Sequence, residues 1–175
     1  MDNKYTLNIS AIFVYGALIA TLLVGTMASF LYVNKLAGYD KEYLDATYQI
    51  GITSQTIIPL AIDVSNGQTK IMAELSEKAL HMKVLAEKFS NGNKATGLPA
   101  LPERFSDLTS SLVTKARAVY QKLDQVKENA NNNSLNLVQE ISGAIYFGRA
   151  LQKDVDEIKA VVERGEVHPR FFNWY

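Results

Sequence analysis

The sequence predicts an all-α protein: a single N-terminal transmembrane helix followed by an antiparallel four-helix bundle. Three observations carry this expectation. Ile9 to Val33 runs for about 25 residues without a charge, where about 20 apolar residues suffice to cross a bilayer core. Beyond it, apolar residues recur at intervals of three and four, and none alternates over the length of a strand. The polar and glycine-rich stretches between these patterns are short, which favours antiparallel neighbours. The chain divides accordingly into a head and anchor (residues 1–35), an extracytoplasmic bundle (36–164) and an aromatic tail (165–175).

The anchor is too long for the apolar region of a secretory signal, which spans about 7–15 residues. Its flanks carry Asp2 and Lys4 before it and Lys35, Asp40, Lys41 and Glu42 after it. That balance does not set the orientation by positive charge. A head of eight residues is easily left in the cytoplasm, so the remaining chain is expected outside. Within the span Gly16 and Ala20, and again Gly25 and Ser29, stand four apart. Small residues at this spacing let another helix approach closely in lipid. The face fits a second copy or another membrane subunit, and equally the ordinary glycine and alanine content of spanning helices.

After a short polar joint at Asn34–Gly38, the positions Tyr43, Leu44, Tyr48, Ile52 and Ile57 fall near helical spacing. Pro59 lacks an amide proton and is expected to kink or end this helix, before a turn at Ser65-Asn66-Gly67. The next stripe, Ile71, Leu75, Ala79, Met82, Leu85 and Phe89, marks an amphipathic helix. Ser90–Pro102 collects Asn, Gly and Pro and is expected to be a surface loop, nearest the membrane if the helices alternate. A third stripe runs from Phe105 through Leu112, Val119 and Val126 to an asparagine-rich break. A fourth runs from Leu137 through Ile141, Leu151, Val155, Ile158 and Val162, broken by Gly165. Ser134 is placed to cap it.

The tail carries Arg170, Phe171, Phe172, Trp174 and Tyr175. If the fourth helix returns toward the membrane, these residues end near its surface. Aromatics with a polar edge favour the interfacial belt, and aromatics with an arginine suit protein interfaces. Docking to membrane or partner is the expectation; a tail folded back on the bundle is the alternative.

Chemistry is sparse. The 18 basic and 18 acidic residues balance, so no basic face argues for nucleic acid. There is no cysteine, which removes disulfides and thiolate sites. His81 and His168 are isolated in sequence, and no metal, cofactor or catalytic constellation is expected.

The stretch YDKEYLDATYQIGITSQTIIPLA after a single span, with the loop KATGLPALP, resembles the N-terminal extracytoplasmic module of PilJ-type type IV pilus methyl-accepting chemotaxis proteins. The same module is similar to the sensor region of nitrate and nitrite sensor kinases. The resemblance covers roughly Met1 to Val162. It implies an all-helical bundle in the periplasm, anchored in a bacterial inner membrane and acting through helix contacts without catalysis. In the nitrate sensors this region looks like a Leu-Arg-x-x-Ser-Gln-Arg pattern whose arginines are anion-binding candidates. Ser54 and Gln55 match, but Gly51 and Thr56 stand where the arginines would be, and no Lys or Arg occurs between Glu42 and Lys70. An anion needs fixed positive charge or several donors, so nitrate binding is not carried over, and whether a small molecule binds is left open. The family also continues into a second span and a cytoplasmic coiled coil, whereas this chain stops at Tyr175. Two functions follow: an accessory subunit of a larger membrane assembly, which is preferred, and a sensory module of pilus chemotaxis.

Overall fold

In a computed structural model, which describes residues 9–129 and 134–168, the chain is helical and the described residues contain no strand. Helix α1 spans Ile9–Ser65, α2 Met72–Asn91, α3 Ser106–Asn129 and α4 Ser134–Glu163. Single 3-10 turns at Thr69–Ile71 and Glu103–Phe105 lead into α2 and α3. Two compact units are present, residues 1–38 and 39–175.

The first unit is the apolar part of α1, long and apolar enough to cross a membrane by length and composition. Its large side chains are exposed, Phe13 by 74% and Val24 by 70%. At Gly16 and Gly25 an added Cβ would meet nothing within 4 Å. The hydroxyls of Thr21 and Ser29 donate to the carbonyls of Ala17 and Gly25, both at 2.9 Å. These bonds satisfy the hydroxyls within the helix, so no external polar partner is required in an apolar medium.

Two expected interruptions of α1 do not occur. The segment Asn34–Gly38 is helical, because it contains no proline and a lone glycine costs a helix only about 1 kcal/mol. Pro59 also lies inside α1. Its ring is on the exposed face, and so is Gln55, whose carbonyl loses an amide donor to the proline but remains open to water.

The second unit closes around one apolar core. The stripes of α2, α3 and α4 face inward as expected, with Leu75, Met82, Phe89, Leu112, Val119, Leu123, Leu151 and Ile158 at most 2% exposed. Burying each such side chain is worth about 1.5–3 kcal/mol. Helix α1 departs from the expected stripe: Tyr43, Ile50 and Ile57 are buried, but Tyr48 and Ile52 are 68% and 45% exposed. The buried face of α1 is completed by the small residues Ala46, Thr47, Ser54 and Ala61, which a search for large apolar residues passes over.

Helix neighbours are fixed by specific contacts. Between α1 and α4, Ser54 Oγ donates to the carbonyl of Gly148 at 2.7 Å, and His168 Nε2 lies 2.7 Å from Asp40 Oδ1. Between α1 and α2, Tyr43 stacks on Phe89 with ring centroids 5.9 Å apart. Between α2 and α3, Arg117 pairs with Glu87 at 2.8 Å and Lys83 lies over the Tyr120 ring. Between α3 and α4, Lys115 and Lys122 pair with Asp154 and Glu140, each at 2.8 Å.

The loop after α2 is more than a surface connection. Leu98 and Leu101 are buried in the core, and the Leu101 amide donates to the Phe89 carbonyl at 2.8 Å. Gly92 makes the reversal with φ +71; a Cβ there would lie 2.4 Å from the Leu98 carbonyl oxygen and 2.9 Å from the Ala100 nitrogen. The loop sits against the start of the second unit's stretch of α1: Asn93 Nδ2 and Thr96 Oγ1 both donate to Glu42, and Tyr43 Oη donates to the Pro99 carbonyl at 2.5 Å.

Helix α4 ends at Gly165, whose φ of +67 accompanies amide bonds from Gly165 to Val162 and from Glu166 to Val161. This is the glycine-terminated 6→1 and 5→2 closure of a helix. Packing continues past the expected end of the core: Val167 is 5% exposed, and Arg104 donates to the Glu166 carbonyl.

Candidate functional site: a groove between α1 and α4

Tyr48 and Ile52 are exposed where α1 and α4 run side by side. The two helices touch through small groups at Ser54 and Gly148, where a Cβ on Gly148 would lie 3.6 Å from Ser54 Oγ. Between them lies an open groove of about 550 Å³. One wall is α1, with Leu44, Tyr48, Gly51, Ile52 and Gln55. The other is α4, with Gln152, Val155, Asp156, Lys159 and Glu163.

Gly51 forms the narrow part of the floor. A Cβ there would meet Gln152 Nε2 at 3.6 Å and Val155 Cγ1 at 4.0 Å, ordinary contact distances. Alanine would therefore fit, and the glycine serves to leave room rather than to permit a special backbone. Thr47 is buried and donates to the Leu44 carbonyl at 2.8 Å, so its hydroxyl is satisfied within the helix. Gln152 Nε2 donates to Asp156 Oδ1 at 3.1 Å, and Lys159 lies 3.8 Å from Glu163. The groove therefore has an apolar floor and a rim of two carboxylates and one ammonium. That set holds a cationic or aromatic side chain better than an anion, because the ammonium has a carboxylate neighbour one turn away.

The four positions aligned with the nitrate-sensor motif separate in space. Gly51 and Gln55 line the groove. Ser54 is 2% exposed and spends its hydroxyl on the α4 backbone. Thr56 donates to its own helix at Ile52, 2.9 Å away. The α4 wall was not among the expected site residues; its polar members look like a solvated helix face in sequence, and only the pairing of α1 with α4 brings them opposite Gly51.

The other expected contact residues fall elsewhere. Gly16, Ala20, Gly25 and Ser29 lie in the first unit, and their side-chain positions face open space. Arg170, Phe171, Phe172, Trp174 and Tyr175 lie outside the described residues. His81 is exposed on α2, whereas His168 is held by Asp40. Among the described residues no three His, Cys, Asp or Glu side chains converge as metal ligands.

The most perturbed titrating group belongs to the fold. Burial, with the nearby charges of Asp40 and Glu42 and the ring of Tyr39, pushes the Tyr43 hydroxyl up to about 12. It therefore stays protonated and donates to the Pro99 carbonyl, tying α1 to the loop.

No family model, no curated protein and no solved structure significantly matches the chain.

Proposed function

We propose that this chain is a non-catalytic, single-pass membrane protein that acts as an accessory or interaction subunit of a larger membrane assembly. The observation that carries this reading is the α1–α4 groove, where Tyr48 and Ile52 stand exposed on a helix whose other face is packed. Contiguous exposed apolar surface rimmed by polar groups marks interaction sites. The chain that forms the groove also carries the uncharged stretch of the anchor, so in this reading whatever binds the groove is held at a membrane. The ionisable groups with close contacts support a structural role, since Asp154, Glu140 and Glu87 are each paired across helices.

In this reading the second unit is an antiparallel four-helix bundle, and the paired residues support it. In three of the neighbouring pairs, partners rise in number along one helix as they fall along the other: Asp40 with His168 just past α4 then Ser54 with Gly148, Lys83 with Tyr120 then Glu87 with Arg117, and Lys115 with Asp154 then Lys122 with Glu140. The bundle lies in the periplasm of a bacterial inner membrane, with the short head inside. Partners are other membrane subunits or a second copy, reached through the groove, the Gly16, Ala20, Gly25 and Ser29 face and the aromatic tail.

Co-purification of the full chain from native membranes tests the reading. Stable membrane-protein partners are expected, and deleting Phe171–Tyr175 should lower their recovery while leaving the helix content unchanged by circular dichroism. A chain that ran alone, or only with itself, would refute the subunit reading.

A second reading, a sensory module of the PilJ type, draws on one observation: Gly51 and Gln55, two of the motif positions, line the groove. Calorimetric titration with nitrate separates the two. Heat of binding that disappears in Gln55→Ala would favour the sensor.

A further inference from the structure

We propose that two copies of this chain pair in parallel along one exposed stripe of α1, formed by Tyr48, Ile52, Gln55, Pro59 and Ile62. The inference rests on the membrane-anchored reading above and names the occupant of this face: a second copy.

Spacing is the first argument. From Asp45 onward the exposed positions of α1 in the second unit are Asp45, Tyr48, Ile52, Gln55, Pro59 and Ile62. They follow one another at intervals of three, four, three, four and three, the 3.5-residue repeat by which two helices pack along their length. Tyr48 is 68% exposed, and Ile52 and Ile62 are each 45% exposed. The core takes the other side of the helix, with Tyr43, Ile50, Ile57 and Ala61. Helix α1 thus has two apolar faces, and its own bundle uses one.

Charge is the second. From residue 46 to residue 62 no face of α1 carries a charge, whereas Glu77, Arg117 and Lys153 stand exposed on α2, α3 and α4. A contiguous apolar face of this kind marks an interaction site, yet it offers a different protein no charge by which to be selected. A second copy needs none. Both copies enter one membrane in the same sense, so α1 meets α1 in parallel, with equivalent residues at equal depth. About a twofold axis running along the pair the same patch serves both copies. Tyr48, Ile52 and Ile62 then meet their counterparts, and Gln55 meets a Gln55 whose amide is donor and acceptor at once. A single polar residue in such a seam fixes its register. Asp45 is the one charge set against itself; Lys41 stands one turn away on the same exposed side, and Gln49 donates to the Asp45 carboxylate at 2.7 Å.

Size is the third. From Tyr48 to Ile62 the stripe is about 21 Å long, and a helix is about 10 Å across. That footprint, about 210 Å², is far below the ~800 Å² per partner of a stable free complex. The stripe alone does not hold two freely diffusing chains together. Two chains confined to one membrane meet at high effective concentration, so anchor and stripe act jointly. Tyr48, Ile52 and Gln55 also belong to the α1 wall of the groove, and pairing covers that wall.

The sequence contains no cysteine, so single cysteines report contacts without background. Ile52→Cys, Gln55→Cys and Ile62→Cys are each made in the full chain, with Val84→Cys on α2 and Gln121→Cys on α3 as exposed controls. Membranes holding each variant are oxidised with copper phenanthroline. Cysteines whose Cα atoms stand more than about 7 Å apart do not bridge. Disulfide-linked dimer is expected at the three stripe positions in several-fold the yield of the controls, and unchanged when the chain is diluted into excess lipid. Adding Ile52→Glu to Gln55→Cys sets two carboxylates against each other and should lower the yield several-fold, with helix content unchanged by circular dichroism. Equal yields at stripe and control positions, or yields that fall with dilution, would mean random collision and overturn the proposal. Cross-links from the stripe only to a protein of another mass would give the face to a different subunit and equally overturn it. The two readings fail separately: a cross-linked dimer with no further partner sinks the subunit reading alone, and co-purifying subunits without stripe cross-links sink the dimer alone.

Discussion

Replacing Gly92 by alanine tests the packing of the loop after α2 more sharply than any core truncation. Gly92 has φ +71 and ψ −172, a region essentially reserved for glycine, where another residue costs about 1–3 kcal/mol. A Cβ would also stand 2.4 Å from the Leu98 carbonyl oxygen, 2.9 Å from the Ala100 nitrogen and 3.0 Å from the Pro99 carbonyl carbon. All three are backbone atoms, so no side chain can rotate away. Relief requires the loop to move, and moving it withdraws Leu98 and Leu101 from the core and lengthens the Asn93 to Leu98 and Leu101 to Phe89 bonds, both 2.8 Å. Backbone strain and partial loss of burial together come to about 3–5 kcal/mol. For a unit of this size, at about 3 °C per kcal/mol, the thermal midpoint should fall by about 9–15 °C. Gly97→Ala is the internal control: its φ is +72, but a Cβ there meets nothing within 4 Å. It should lose only the backbone share, about 1–2 kcal/mol. Thermal unfolding followed by circular dichroism in one detergent compares the two. Equal midpoints for Gly92→Ala and Gly97→Ala would refute the argument that backbone contact, rather than φ alone, makes Gly92 necessary.

Two further outcomes are expected. Tyr43→Phe removes the bond to the Pro99 carbonyl, costing about 1 kcal/mol near neutral pH. Because the folded hydroxyl is raised from 10 to about 12, its stabilising share is intact below pH 10 and is lost as the pH rises through 12; the parent should lose stability in this window and the variant should lose less, as denaturant titrations at stepped pH will show. Lys115→Met strands the Asp154 carboxylate, 6% exposed and left with Ser111 alone at 2.8 Å. Breaking a buried pair costs about 3–5 kcal/mol, and the partial exposure of Lys115 lowers this to about 2–3 kcal/mol; adding Asp154→Leu should recover most of the loss, and a double variant weaker than the single would contradict the assignment.

Periodicity and composition alone determined the helical class, the uncharged run Ile9–Val33 and the inward faces of α2, α3 and α4, because large apolar residues at three- and four-residue spacing leave a helix only one way to bury them. The same reasoning misplaced the face of α1. There the buried face is completed by Ala46, Ser54 and Ala61, with Ser54 bonded to the α4 backbone, and small residues register in a sequence as absence of signal although they allow close approach. Local propensity also overstated the breaks at Gly38 and Pro59, since a long helix spreads such costs over many intact bonds and a proline on the water side leaves its orphan carbonyl solvated. The groove was decided only by tertiary structure. Gly51 and Gln152 lie 101 residues apart in the chain, and nothing local relates them. It is the pairing of α1 with α4, tied by Ser54 to the Gly148 carbonyl, that brings Gly51 opposite Gln152 and turns the polar face of α4 into the rim of a site.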